Sequence, residues 1–203
     1  MLTFLLKAFL ITFSGVIVPG PVSALTISQG TRYSHYGVFV ALGHGIVEIP
    51  IMILILFGFG KLFEINILNA LIGLLGGFFL LKLSYSLFKG INNPQNTFKK
   101  YSAVPLQAGI VLTIANPGYL AWMATIGSIL ILNSYKYGIF GFIAYAVMHL
   151  TIDIIWLYFL SSLSYKGGQF FGKKLQKIIF LICGFSLLYI GMQFIYSATK
   201  KLF

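Results

Sequence analysis

The sequence predicts an all-α integral membrane protein with six transmembrane helices, arranged as two inverted three-helix repeats in which the first and fourth helices are broken. The prediction depends on composition, on the succession of apolar segments, and on landmarks that recur in both halves of the chain. Of the 203 residues, 59% are hydrophobic and 8% are charged, and the mean hydropathy is +0.95. Soluble domains of this size do not carry such a balance, so the chain is expected to lie in a bilayer.

Six apolar segments are each long enough to cross a membrane, which takes about 20 residues. The longest polar connector, residues 89–103, divides them into two groups of three. We therefore expect one transmembrane domain over residues 1–203, with repeats 1–88 and 104–203 joined by that loop. The predicted spans are residues 3–28, 36–60, 65–88, 104–132, 137–162 and 175–198.

The basic residues predict how the chain is oriented. Eight Lys and Arg lie on the first, third and fifth connections, against five on the opposite side. Because basic loops stay inside, both termini are expected outside. The net charge of +11 comes from residues that stand singly or in pairs between apolar segments, so the expected surrounding is membrane lipid and no nucleic-acid partner is expected.

Proline and glycine interrupt two of the predicted spans. The first contains Pro19, Gly20 and Pro21, and the fourth contains Pro117 and Gly118, with Pro117 lying 98 residues after Pro19. A proline inside a helix removes a hydrogen bond and clashes with the preceding turn, at a cost of about 3 kcal/mol. A pair of such breaks at matching positions favours function over packing alone.

Two further landmarks recur at nearly the same offset. His44 and Glu48 in the second span match His149 and Asp153 in the fifth, 105 residues later, and "LLGGFFLLKL" in the third matches "LICGFSLLYI" in the sixth. Each group holds an odd number of spans, so the two copies face opposite sides of the bilayer. This is the plan of many secondary transporters, in which alternating access occurs around a central site.

The helix breaks predict the substrate site. Broken helices expose backbone groups within the membrane, which is tolerated only where protein or a water-filled cavity satisfies them. Half-helix N-termini suit a carboxylate, and half-helix C-termini suit an ammonium group or a coupling cation. An amino-acid-like small molecule needs both, and the residues expected to contact it are Pro19, Gly20, Pro21, Asn116, Pro117 and Gly118.

The buried acids predict an ion-coupling site. Glu48 and Asp153 lie within spans, where a charge costs a few kcal/mol or more, and each has a histidine one turn earlier, His44 and His149. Coupling to a proton is the first interpretation of these four residues. A divalent metal site, which would make the chain a metal transporter, is the second. A purely structural pairing between helices is the third.

Enzyme signatures are missing from the sequence. It contains no Walker loop, no H-E-x-x-H and no G-x-S-x-G. We therefore expect no catalytic residue, no resident metal and no cofactor. Trp122 and Trp156 lie deep enough to line a cavity or to pack against lipid or the core, while Gly73 and Gly77 have the spacing of close helix packing.

Four stretches resemble the lysine exporter family of amino-acid effluxers, of the LysE/RhtB type: "VIVPGPVSAL", "QGTRYSHYGVFVALGHGIVE", "LIGLLGGFFLLKLSYSLFKG" and "TIANPGYLAWMATIG". The resemblance implies six spans in the plasma membrane of a prokaryote and export of amino acids or related small metabolites, driven by an ion gradient. Many members have an acid after Pro-Gly-Pro and a lysine after Asn-Pro, where this chain has Val22 and Gly118. The charge of the preferred substrate therefore stays open. Whether the chain forms a homo-oligomer also stays open.

Overall fold

The computed structural model describes residues 1–18, 20–58, 66–91 and 104–202, and every regular element within these ranges is helical. The predicted all-α class is therefore confirmed there. In chain order the elements are α1 (Leu2–Val16), α2 (Pro21–Gly30), α3 (Tyr36–Leu56), α4 (Asn66–Gly90), α5 (Pro105–Ile114), α6 (Pro117–Trp122), a π-helical turn (Met123–Gly127), α7 (Ser128–Tyr135) and α8 (Gly138–Leu202).

Several helices are long and apolar enough to cross a membrane. Four stretches qualify by themselves: Tyr36–Leu56, Ala70–Gly90, Gly138–Gly167 and Lys177–Lys200. Two bent pairs qualify together, α1 with α2 at 69° and α5 with Pro117–Tyr135 at 60°. Counting each bent pair as one span gives up to six, in agreement with the number of predicted segments, while the inverted repeat stays a prediction.

Both bends occur where a helix restarts at a proline, Pro21 in the first pair and Pro117 in the second. Proline is favoured at the first helical position because the amide hydrogen that it lacks has no partner there. Gly20 precedes Pro21 in an extended conformation, with φ −138°. Pro19, also predicted to belong to this break, lies outside the described residues.

The connector predicted between the fifth and sixth spans is itself helical, since α8 continues from Gly138 to Leu202. No proline lies in that connector to interrupt the hydrogen bonds. Leu157 and Ile190 nevertheless line the same cavity, although a straight helix would separate them by about 50 Å. The chain therefore reverses direction between its two α8 spans.

Glycines allow the helices to approach closely. A methyl group at Gly43 would overlap the carbonyl oxygen of Leu106, and one at Gly109 would overlap that of Val40. These contacts seat α5 directly on α3. Gly77 lies against the backbone of Gly191, as its small-residue spacing predicts.

Candidate functional site

The four residues predicted for ion coupling converge in one buried group, the His-carboxylate cluster of His44, Glu48, His149 and Asp153. Glu48 Oε1 lies 3.1 Å from His149 Nε2 and 3.5 Å from His44 Nε2. Asp153 Oδ2 lies 3.7 Å from His149 Nε2 and 3.9 Å from His44 Nε2. The helices α3 and α8 each supply one histidine and one acid from a single face, because residues four apart are neighbours on a helix.

A threonine fixes the tautomer of His44. The Thr113 hydroxyl donates to the carbonyl oxygen of Gly109 at 2.7 Å, and its oxygen lies 2.7 Å from His44 Nδ1. A hydroxyl has one hydrogen to donate, so His44 Nδ1 carries a hydrogen and donates it to Thr113. His44 Nε2, which faces the two carboxylates, is therefore protonated only when the ring is an imidazolium.

Aromatic residues complete the surroundings of the cluster. The Tyr119 hydroxyl donates to Glu48 Oε1 at 3.4 Å, and the Tyr145 hydroxyl lies 3.2 Å from His149 Nδ1. The Tyr119 ring meets the His44 ring edge-on at 4.9 Å, and the Trp122 ring meets that of His149 at 5.7 Å. Every ring nitrogen of the two histidines therefore faces an oxygen atom.

Three of these polar contacts were not predicted from the sequence: Thr113, Tyr119 and Tyr145. Their positions in the sequence could have identified two of them, since Tyr119 follows Asn-Pro-Gly directly and Tyr145 precedes His149 by one helical turn. Thr113 stands just before the break of the fourth span. Of the two tryptophans that lie deep in their spans, Trp122 lines the central cavity described next.

A cavity of about 400 Å³, the central cavity, lies beside the cluster and reaches both helix breaks. Among the predicted substrate contacts, Gly20, Pro21, Asn116 and Gly118 line it, whereas Pro117 lies next to Gly76. From the cluster, His44, His149 and Asp153 line it, and the remaining lining residues are Thr12, Gly15, Val16, Val18, Val22, Ser23, Tyr119, Trp122, Leu157, Ile190 and Phe194.

Two helices begin at the wall of the central cavity. The cap residue of α2 is Gly20, which has no side chain to bond the first amides, and Val22 and Ser23 of its first turn line the cavity. At α6 the Asn116 Oδ1 accepts a hydrogen bond from the Tyr119 amide at 3.1 Å. The start of α2 therefore offers amide hydrogens and positive partial charge to a ligand.

Asn116 should stabilise the second break through this cap. We expect Asn116→Ala to lower stability by about 1 kcal/mol, the usual cost of losing an N-cap. In a chain of this size that is a fall of about 2–4 °C in the thermal unfolding midpoint in detergent. Asn116→Ser, which retains a capping oxygen, should keep most of the midpoint. Equal midpoints for the two variants would contradict a role for the cap.

The carboxylates keep unused bonding capacity. Within the described ranges, Glu48 Oε2 and Asp153 Oδ2 are buried without a hydrogen-bond partner. Ligand atoms of His44, Glu48 and Asp153 lie within 4.8 Å of one another, close enough for a cation. Asp153 also lines the central cavity, so its side chain borders the space that a positively charged group there would occupy.

The chain has a family match that covers most of its length. The family model of the LysE type translocators matches residues 13–198. No curated protein and no solved structure matches the chain. The matched range contains both helix breaks, the whole His-carboxylate cluster and nearly all of the central cavity's lining. The chain therefore belongs to the LysE type translocators, a family of membrane transporters of amino acids and other small molecules.

Proposed function

We propose that this protein is a secondary transporter that exports amino acids or related small metabolites across the plasma membrane of a prokaryote, in exchange for protons. The central cavity binds the substrate, and the His-carboxylate cluster carries the coupling proton. The observation that supports this proposal is the contact between the two: His44, His149 and Asp153 belong to the cluster and also line the cavity. A substrate and a proton bound there therefore lie close enough to influence each other.

The cavity has complementary ends for a zwitterion. The uncapped start of α2 suits a carboxylate, because its amide hydrogens and helix dipole favour negative charge. Asp153 suits an ammonium group, because its Oδ2 is buried with no hydrogen-bond partner in the described part of the chain. A volume of about 400 Å³ lies within the range of small-molecule sites. An amino acid satisfies both ends at once.

Charge balance links the proton to the substrate. When both histidines are protonated, the two imidazolium groups and two carboxylates sum to zero, which is the state that a buried site favours. If His44 Nε2 loses its proton, the cluster becomes negative beside the cavity. A substrate ammonium group at Asp153 restores the balance, so proton and substrate compete for the same carboxylates. Competition of this kind produces exchange when the site opens alternately to each side.

The proposed exchange needs a site that opens to both sides. The two bent helix pairs meet at the cavity, and each contains a break that can act as a hinge. An inverted pair of repeats, 1–88 and 104–203, with both termini outside, provides the two equivalent openings.

The family does not favour the divalent-metal alternative. Metal analysis of the purified protein, with His44→Ala as control, tests it.

A substrate series tests the proposal. In proteoliposomes loaded with single amino acids, we expect saturable efflux that an inward proton gradient accelerates and a protonophore abolishes. For the amino acid that is transported, two analogues should each bind more weakly: the amine without the carboxylate, and the carboxylic acid without the amino group. Each analogue lacks one of the two charged groups that the cavity is proposed to contact. Efflux that is indifferent to the proton gradient would contradict the coupling.

The Asp153→Asn variant tests the contact with the substrate's ammonium group separately from the contact with its carboxylate. Losing a hydrogen bond to a charged group weakens binding by about 10–100-fold, so we expect the apparent affinity for the amino acid to fall by that factor. The affinity for the carboxylic acid analogue should stay the same, because it has no ammonium group to lose a partner. Competition against the labelled amino acid measures both, and an equal loss for the two ligands would exclude the proposed ammonium contact.

A further inference from the structure

A second pocket of about 400 Å³ lies away from the central cavity, where the α2–α3 connection meets the start of α5. Gln29, Arg32 and two tyrosines carry its polar groups, and Phe39, Val104 and Leu106 supply apolar walls. Phe39 and Val104 are about two-fifths exposed on the outer surface of the helices. The pocket therefore joins a polar floor to a surface that faces lipid.

Polar atoms of Gln29 and Arg32 on this floor lack partners among the described residues. Gln29 is only 1% exposed, yet neither its amide oxygen nor its amide nitrogen has a hydrogen-bond partner among the described residues. The Arg32 Nη2 is also buried without a hydrogen-bond partner among the described residues. Buried polar groups in proteins are nearly always hydrogen-bonded, so a floor with two unpaired donor nitrogens and one unpaired acceptor oxygen indicates a missing ligand.

The missing ligand must carry negative charge. The chain has three acidic residues, and both Glu48 and Asp153 are engaged with histidines in the cluster. The third, Glu64, lies outside the described residues. Partial burial already lowers the pKa of the Arg32 guanidinium, which nevertheless stays charged. The two acids among the described residues are therefore engaged elsewhere, and an anion from outside the chain can serve as the counter-anion of Arg32.

Contacts with α8 hold the α2–α3 connection, which forms one wall of the pocket. The Ser161 hydroxyl on α8 donates to the carbonyl oxygen of Ser34 at 2.6 Å, and Gly30 packs against the Ser161 backbone. On the opposite wall, α5 begins at Pro105 with no side chain capping its first turn. That helix start adds positive partial charge toward the pocket.

We propose that Gln29 and Arg32 bind the phosphate oxyanion of an anionic phospholipid headgroup, with the acyl chains lying against the apolar walls. A guanidinium fork matches two phosphate oxygens, and the Gln29 amide donates to a third. Basic pockets between transmembrane helices are known acceptors of such headgroups. The exposed Phe39 and Val104 favour a lipid over free phosphate, since inorganic phosphate makes no use of them.

The test measures thermal stabilisation of the full chain in nonionic detergent. Short-chain phosphatidylglycerol should raise the unfolding midpoint of the wild-type protein in a saturable manner, because a ligand of the native state stabilises it. Arg32→Gln should weaken this response at least about tenfold in lipid concentration, the effect of losing charged hydrogen bonds. Gln29→Leu, which keeps the charge, should weaken it as well.

A matched control removes a positive charge elsewhere. Lys166 is exposed on α8, a short distance along the helix from Ser161, and Lys166→Gln should keep the full response to lipid. Equal responses in Arg32→Gln and Lys166→Gln would overturn the site, leaving a pocket filled by water. Inorganic phosphate at the same concentration should have little effect, and an equal effect from phosphate would overturn the lipid assignment.

Discussion

The Glu48→Gln variant should lose proton-coupled transport, with initial efflux rates reduced by at least about fivefold, as expected when a coupling free energy of about 1–3 kcal/mol is removed. One oxygen of Glu48 is shared by three groups: it lies 3.1 Å from His149 Nε2, 3.5 Å from His44 Nε2 and 3.4 Å from the Tyr119 hydroxyl. Glutamine keeps the shape of the side chain but removes its charge. The histidines then lose the partner that makes their protonation favourable.

Proteoliposome efflux with and without an imposed proton gradient measures this effect. The variant's remaining efflux should no longer respond to the gradient, whereas Glu48→Asp, which keeps the carboxylate, should retain part of the response. Glu64→Gln is the matched control, because it makes the same chemical change at the one acid outside the cluster. Gradient-dependent efflux at the wild-type rate in Glu48→Gln would remove Glu48 from the coupling mechanism.

The Gly76→Ala variant should have the second large effect, on stability. A methyl group at Gly76 would overlap the carbonyl oxygen of Ala115, the residue just before Asn116 in the fourth-span break. Because backbone cannot move aside as a side chain can, α4 and the break must separate. We expect a loss of about 1–3 kcal/mol or more, which corresponds to a clear fall in the thermal midpoint.

Gly73→Ala on the same helix is the matched control. Both substitutions gain about 1 kcal/mol of helix propensity, but the new methyl group at Gly73 meets the Ala198 methyl at 3.0 Å and the Phe194 carbonyl oxygen at 3.3 Å. A smaller fall is therefore expected. Substrate affinity should also fall more in Gly76→Ala, since displacement of Ala115 shifts Asn116 in the central cavity. Equal midpoints for the two variants would contradict the close approach at Gly76.

The sequence by itself determined the all-helical class, the apolar segments and the places where two helices restart. These are local properties: hydropathy acts on each segment separately, and Pro21 and Pro117 lack an amide hydrogen whatever surrounds them. The pairing of His44 with Glu48 and of His149 with Asp153 was equally local, because residues four apart share a helix face.

Only the tertiary structure decided how closely the two predicted pairs approach each other, that Thr113 fixes the tautomer of His44 from 69 residues away, and that Arg32 and the start of α5 share a pocket. Such contacts depend on which helices pack together and how closely. Glycines such as Gly43 and Gly109 set that distance, and a glycine in a sequence does not specify the backbone it will touch.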